Sequence, residues 1–521
     1  MRDQVDTGEG LLRTTAPITA WNLVSRLTGF VRVIAIGAAL GTTFLGNTYQ
    51  SSNLVSNILF ELLAAGLLSS VLVPTFVARV AKGERGEAEH LAGALLGMLL
   101  AGLGVVVLAG AVASPWLMRA LTVAVSNHGV RHDEVRLGTF FLWFFLPQVL
   151  LYAAGAVATG LLYADRRFVA ASAAPVANNL VVVATMGVFW AMRSGGRPGL
   201  GIPLSQQLVL ALGTTAGVVT MTAVPVAAAW RVGLRLRPRW DPRHAGLREL
   251  GRRGAWAAAY LGLTQLLIAT TLVLANRVEG GVVAYQIAFT FFLLPHALIA
   301  HPIYTALYPQ LSEDAEGARW EDFARRLGRG IRLSALLLLP AAALLAAVAR
   351  PLLRVVAIGA LAAGGRSLVA PTLAAYSAGL IGYSGFQLLT RASYATGDTR
   401  SPTLVNLVVS VGGAALMVVW SGHATGAHRV VVLGLAHSAA MLAGAAVLLV
   451  VVRRRARISL HSGAALARGA ACAAAAGLVA QRLVLGLHAA GRGGAVVAIL
   501  AAGLGGTAVY VGGQLLLGGV P

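Results

Sequence analysis

The sequence predicts an all-α polytopic membrane protein, and three observations carry that prediction. Hydrophobic residues fill 57% of the 521 positions and charged residues only 12%, against roughly 25% charged in a soluble domain. Apolar runs long enough to cross a bilayer recur along the whole chain. A pattern of residues in the first half also returns, in order, in the second.

At about 20 apolar residues per crossing, fourteen spans are expected. They fall at 17–40, 54–79, 91–113, 137–163, 173–192, 205–230, 255–276, 281–308, 330–349, 369–393, 402–420, 429–452, 464–487 and 494–517. A short uncharged turn joins the first two. A longer connection, 114–136, carrying Arg, His and acidic residues, separates the third from the fourth.

The repeat fixes the organisation. Tyr163-Ala164-Asp165, Pro175 and Asn179-Leu180-Val181-Val182 return as Tyr394-Ala395, Asp398, Pro402 and Asn406-Leu407-Val408-Val409. Ser114-Pro115-Trp116-Leu117 returns as Arg350-Pro351-Leu352-Leu353, and Leu72-Val73-Pro74 as Leu307-Tyr308-Pro309. Units of roughly 230 residues with six spans each keep the same orientation, a parallel repeat about an axis along the membrane normal. The expected parts are a cytoplasmic tail at 1–16, a first lobe at 17–240, a second at 241–460, and a C-terminal helix pair at 461–521. Two six-helix lobes that rock about a central site are an architecture for transport by alternating access. No span carries the pore-loop signature of a channel.

The net charge of +22 would suit a nucleic-acid partner, but the arginines come as short clusters between apolar spans, so no nucleic acid is expected. With the N-terminus in the cytoplasm, most of the basic residues fall on the cytoplasmic side, in clusters at Arg231 to Arg253, Arg319 to Arg332 and Arg453 to Arg457. An even span count places the C-terminus there too. Lys82 is the only lysine, which reflects base composition. The single cysteine, Cys472, excludes an intrachain disulfide and a cysteine-based metal site. The N-terminus carries acids and no short apolar core with a cleavage site, so no cleaved signal peptide is expected.

The first two spans hold the candidate site. Arg26 and Arg32 lie in the first, in Ser25-Arg26-Leu27-Thr28-Gly29-Phe30-Val31-Arg32, and Asn53, Asn57 and Glu61 form a four-residue stripe at the second. Ionised side chains in hydrocarbon cost roughly 2.5–3.5 kcal/mol each, so a chain that keeps three has a use for them. Arg32 lies about 12 Å from the outer end of its span and Arg26 about 9 Å deeper. With the second span starting at 54, Glu61 is level with Arg32, and an Arg32–Glu61 ion pair is expected. Arg26, near the midplane and without an acid partner, is suited to phosphate or pyrophosphate. Gly29 lets another backbone or a ligand come close. Static helix contacts are the competing role for all of these.

Gln265, Gln286, Thr290 and Gln387 are candidate cavity-lining residues, with His296, His301 and Arg391 nearby. The two histidines lack the four-residue spacing of a helical metal pair, and no metal or other cofactor is expected. Asp165 and Asp398, at matching points of the repeat, are expected to order turns or to gate. There is no Walker loop, HExxH motif or nucleophile elbow, so the chain is not read as an enzyme. The membrane potential or an ion gradient is the remaining energy source.

Ser25-Arg26-x-x-Gly29-Phe30-x-Arg32, with Asn57, Ala65-Gly66 and Val73-Pro74, resembles the opening of the MurJ/MviN proteins. Those are lipid II flippases of the multidrug/oligosaccharidyl-lipid/polysaccharide exporter superfamily. Phe145-Leu146-Pro147, Arg167-Phe168, Ala174-Pro175 and Asn179 look like its fourth and fifth spans. Tyr376-Ser377-x-Gly379-Leu380-Ile381-Gly382 and Tyr394 to Pro402 look like its tenth and eleventh.

The resemblance covers essentially the whole chain. It implies movement of an undecaprenyl-pyrophosphate-linked disaccharide pentapeptide from the inner to the outer leaflet of the bacterial cytoplasmic membrane. It also implies Arg26 and Arg32 as cavity arginines, a C-terminal helix groove for the polyprenyl tail, and cell-wall synthesis proteins as partners. Three positions depart from the family pattern. Phe60-Glu61 stands where the family has an arginine pair, Thr290 where it has a cavity arginine, and Asn47 where it has an aspartate. The seventh span has none of the acids with which some members bind sodium. The alternatives are an ion-coupled multidrug exporter of the same superfamily, to which Glu61 points, and a diverged non-transporting scaffold in cell-wall assembly.

Overall fold

The computed structural model describes residues 3–62, 76, 85–193, 195–241, 245–456, 463–487 and 491–518, with the side chains of 3–19, 85 and 245–258 outside that description. Every regular element among the described residues is helical. Eleven of the helical segments are long and apolar enough to cross a membrane.

The chain divides into two compact units, one of residues 1–40 and 44–265 and one of 41–43 and 266–521. In the first, α1 (Asp3–Leu40), α2 (Phe44–Phe60), α3 (Arg85–Leu121), α4 (His128–Phe145), α5 (Gln148–Ala164), α6 (Val169–Met192) and α7 (Leu204–Arg231) follow one another. Helix α8 (Ala245–Ala275) runs across the division.

α1 packs on α6, α6 on α7, and α2 on α4. Two apolar cores hold this unit. One joins Leu40, Tyr49, Phe141, Phe145, Met186, Phe189 and Leu210. The other joins Leu91, Leu95, Leu146, Val149, Val157 and Leu161 along α3 and α5. The segment after α7 lies along α3, where the Arg239 amide donates to the Gly93 carbonyl at 2.9 Å. A Cβ on Gly97 would collide with the Arg239 carbonyl, so glycine is what lets this segment approach.

The second unit continues with α9 (Gly281–Pro295), a π turn (His296–Ala300), α10 (His301–Glu316) and α11 (Trp320–Val356). Then come α12 (Gly365–Ser377), α13 (Leu380–Ala395), α14 (Arg400–His423), α15 (His428–Arg455), α16 (Gly463–Gly486) and α17 (Gly491–Leu516). α16 and α17 pack on each other and on α11, burying Cys472, Ala473, Ala476 and Tyr510 against Leu336, Leu339 and Ala343.

Three expected spans take a different form. The second helix begins at Phe44, not at 54. Its polar opening turns are buried, with Asn47, Thr48, Gln50, Ser51 and Ser52 at most 3% exposed, so packing on α4 overrides their low hydropathy. The remainder of that span, including Ala65-Gly66 and Val73-Pro74, lies outside the described residues except for Phe76. The span at 137–163 is two helices that break at Leu146-Pro147, where proline lacks an amide proton and crowds the preceding turn. The span at 369–393 likewise breaks at Ala378-Gly379.

Candidate functional site

The start of α2 resets the geometry of the first two helices. Counted back from Leu40 and forward from Phe44, Arg32 lies about 12 Å from the turn and Glu61 about 26 Å. Their levels differ by about 14 Å, and no Arg32–Glu61 ion pair forms; the expected pair is corrected. Ser52 and Asn53, about 12 and 14 Å along α2, are the polar residues nearly level with Arg32. Glu61 is closer in depth to Arg26, which is about 21 Å from the turn.

Arg26 is exposed, and it makes no ion pair among the described residues. Arg32 is half-buried, and its Nε is buried without a hydrogen-bond partner. The Arg32 guanidinium is close enough to act electrostatically on the hydroxyls of Tyr49 and Tyr152. Tyr49 is anchored by a 2.7 Å hydrogen bond between its hydroxyl and that of Thr214 on α7. Tyr152 and Phe60, whose ring centroids are 5.5 Å apart, line a pocket of about 360 Å³ together with Thr159, Tyr163, Pro175 and Thr222. Arg32 is thus within electrostatic range of two tyrosines, one of which lines a pocket.

Asn53, Asn57 and Glu61 are half-buried, and the Asn57 amide donates to the Asn53 carbonyl at 3.5 Å. Gly29 has a packing neighbour. A Cβ there would meet Asn179 Nδ2 at 3.5 Å. The Asn179 amide donates to the Ser25 carbonyl at 3.2 Å and to the Thr28 hydroxyl at 3.0 Å. The neighbour at Gly29 is thus the Asn179 side chain of α6 rather than a backbone.

Glu134 carried no weight in the sequence, lying in a connection rich in charge. It is fully buried, and its Oε1 accepts a 3.1 Å bond from Thr48, while Oε2 has no partner. Only the burial of α2 reveals it.

In the second unit, Thr290 donates to the Gln286 carbonyl of its own helix at 2.7 Å. It therefore puts no charge where the family pattern has arginine. His296 sits at the π turn, with Nδ1 at 2.9 Å from the Ser384 hydroxyl and Nε2 at 3.0 Å from the Tyr304 hydroxyl. Arg391 stacks over the Tyr304 ring at 4.7 Å, and Gln387 lies beside the Tyr383 hydroxyl. Gln265 is buried, and His301 packs on Tyr304. Among the described residues no cluster of His, Cys, Asp or Glu could hold a metal.

Asp165 and Asp398 both order their turns. Asp165 closes α5 and pairs with Arg167 at 3.1 Å. Asp398 Oδ1 accepts from the Arg400 and Ser401 amides at the start of α14, and Oδ2 pairs with Arg455 at 2.7 Å. A groove of about 710 Å³ runs between α11, α12, α15 and α16, walled by Ala343, Ala347, Ala374, Ala474 and Gly477, with Arg350 and Gln481 as polar lining.

The family model and the curated relatives agree on one family. The model for "Lipid II flippase MurJ" matches residues 36–501. A "Probable lipid II flippase MurJ" from Synechocystis sp. is 28% identical over 74% of this chain and 71% of its own. The "Lipid II flippase MurJ" of Burkholderia cenocepacia is 25% identical over 77% and 76%. A solved structure, "Lipid II flippase MurJ, inward closed conformation", superposes with a TM-score of 0.77, 15% identity and coverage of 96% of this chain and 98% of that one. An inward-facing multidrug resistance MATE transporter superposes at 0.68 with 15% identity, over 83% of this chain and 94% of its own, and shares the fold. With eleven membrane-length helices among the described residues and a family match over residues 36–501, this chain is a multi-pass membrane protein that belongs to the MurJ family of lipid II flippases.

Proposed function

We infer that this protein carries lipid II, the polyprenyl-pyrophosphate-linked peptidoglycan precursor, from the inner to the outer leaflet of the cytoplasmic membrane by alternating access. The observation that carries the reading beyond family membership is Arg26. It is an exposed guanidinium deep along α1, without an ion-pair partner among the described residues. Its planar fork matches the oxygens of a pyrophosphate. Arg32 adds a second positive charge about 9 Å nearer the turn. Asn53 and Asn57 supply amides for the sugar, and Glu61 limits the net positive charge of the site.

The alanine-walled groove takes the polyprenyl tail, since methyl groups and glycine leave a smooth apolar surface. In this reading fourteen spans form two six-helix halves in parallel repeat plus the α16–α17 pair, with both termini cytoplasmic. Membrane potential or an ion gradient drives the cycle, and cell-wall synthesis enzymes receive the product.

Rescue of flippase-depleted cells tests it. The parent protein restores growth, Arg26→Ala inserts normally and does not, and Arg26→Lys restores it in part. An Arg26→Ala protein that rescues fully would remove the reading's support.

A further inference from the structure

α3 exposes a single stripe of side chains. Val105, Leu108 and Val112 are 68%, 70% and 72% exposed, Trp116 is 61% exposed, and Arg119 follows, also exposed. These five positions fall within an arc of about 80° on one helix face. Arg119 lies about 21 Å along the axis from Val105 and about 10 Å from Val112. The order aliphatic, indole, guanidinium is the order hydrocarbon, interface, headgroup of a bilayer.

Beside Arg119 the start of α4 completes a basin of about 950 Å³. It is lined by Arg119, His128, Arg131, His132, Arg136 and Thr139, with Trp143 and the 200–202 segment closing its sides. Asp133, 3.8 Å from both Arg136 and His132, is the one carboxylate among the described residues that pairs with a basin residue. Glu134 turns inward to Thr48 instead. Arg119 and Arg131 make no ion pair among the described residues. The Thr139 hydroxyl is buried, unpartnered and part of the lining. The start of α4, where Asn127 Oδ1 caps the Val130 amide at 3.1 Å, lies at the same end and adds positive partial charge.

We propose that this basin binds the phosphate of a membrane lipid, with the lipid's chain lying along Val105, Leu108 and Val112. Three guanidiniums and an unused hydroxyl recognise phosphate oxygens, and the apolar stripe requires a tail. The phosphate belongs to an anionic phospholipid or to a polyprenyl pyrophosphate. Placing the basin at the outer leaflet rests on the orientation inferred above; the binding itself does not.

The test is native mass spectrometry of the full-length protein in detergent. The probes are cardiolipin, phosphatidylcholine, undecaprenyl pyrophosphate and inorganic pyrophosphate. Each is run on the parent, on Arg26→Gln, and on Arg119→Gln/Arg131→Gln/Arg136→Gln with matched melting temperature. The parent and Arg26→Gln are expected to prefer cardiolipin to phosphatidylcholine by about ten-fold or more, a preference the triple variant loses. The same three sites changed to Lys keep most of it.

Undecaprenyl pyrophosphate binding that matches cardiolipin on Arg26→Gln and falls with it on the triple Gln variant assigns the basin to the carried lipid. Weaker binding assigns it to the bulk phospholipid. A triple Gln variant that binds cardiolipin like the parent overturns the proposal, and so does inorganic pyrophosphate binding as tightly as either lipid. None of these readouts depends on transport, so loss of the flippase reading and loss of this site are separate results.

Discussion

The Glu134 carboxyl and the Thr48 hydroxyl meet at 3.1 Å in a fully buried position where α2 packs on α4. The second carboxyl oxygen has no partner. A buried polar group deprived of its bond costs about 1–3 kcal/mol. Thr48→Val is therefore expected to lower the melting temperature of the detergent-solubilised protein. Glu134→Gln, which still offers an oxygen to Thr48, is expected to melt close to the parent. Equal melting of Thr48→Val and the parent would show that the bond contributes nothing.

Because Arg32 and Glu61 differ in depth by about 14 Å, exchanging their charges cannot rebuild a contact. Arg32→Glu is expected to lose rescue in flippase-depleted cells. Adding Glu61→Arg to it is expected to restore none. Recovery of growth in the double variant would place the two side chains together after all.

Asn179 ties α6 to α1 through two hydrogen bonds at the turn that precedes Arg32. Each is worth about 1 kcal/mol net. Asn179→Ala is expected to lower stability by about 2 kcal/mol, read as a shift in thermal unfolding. Gly29→Ala, whose Cβ would meet Asn179 in ordinary contact at 3.5 Å, is expected to be nearly silent, while Gly29→Leu is expected to displace the helix and destabilise the protein.

Filling the α16 groove separates tail from headgroup. Ala347→Trp and Ala474→Trp put an indole where the wall is methyl groups. Both are expected to slow transport of a long-chain lipid II in reconstituted vesicles several-fold, while a short-chain analogue is carried at the parental rate. Equal slowing of both substrates would dissociate the groove from tail binding.

The helical class and most span positions were legible because apolar runs of membrane length are unmistakable. The site was less so. The turns from Asn47 to Ser52 look like a loop by hydropathy, yet hydroxyls and amides bury well when they find partners, as Tyr49 does on Thr214. That misplacement of the helix start put Glu61 beside Arg32 on paper. The break at Leu146-Pro147 was visible as a proline but not as an interruption, because span counting ignores single residues. Glu134 and the tyrosines near Arg32 carry no motif. Their roles come from contacts between residues far apart in sequence, such as Thr48 with Glu134.

The groove between α11 and α16 is walled mainly by alanine with some leucine and valine, and Arg350 and Gln481 are its polar groups. Away from those two residues the wall offers no directional bond, so along most of its length it reads thickness and oiliness alone. If the groove holds the polyprenyl tail as proposed, it tolerates polyprenols of different length and isomer pattern. Discrimination between cargos then falls entirely on the polar end.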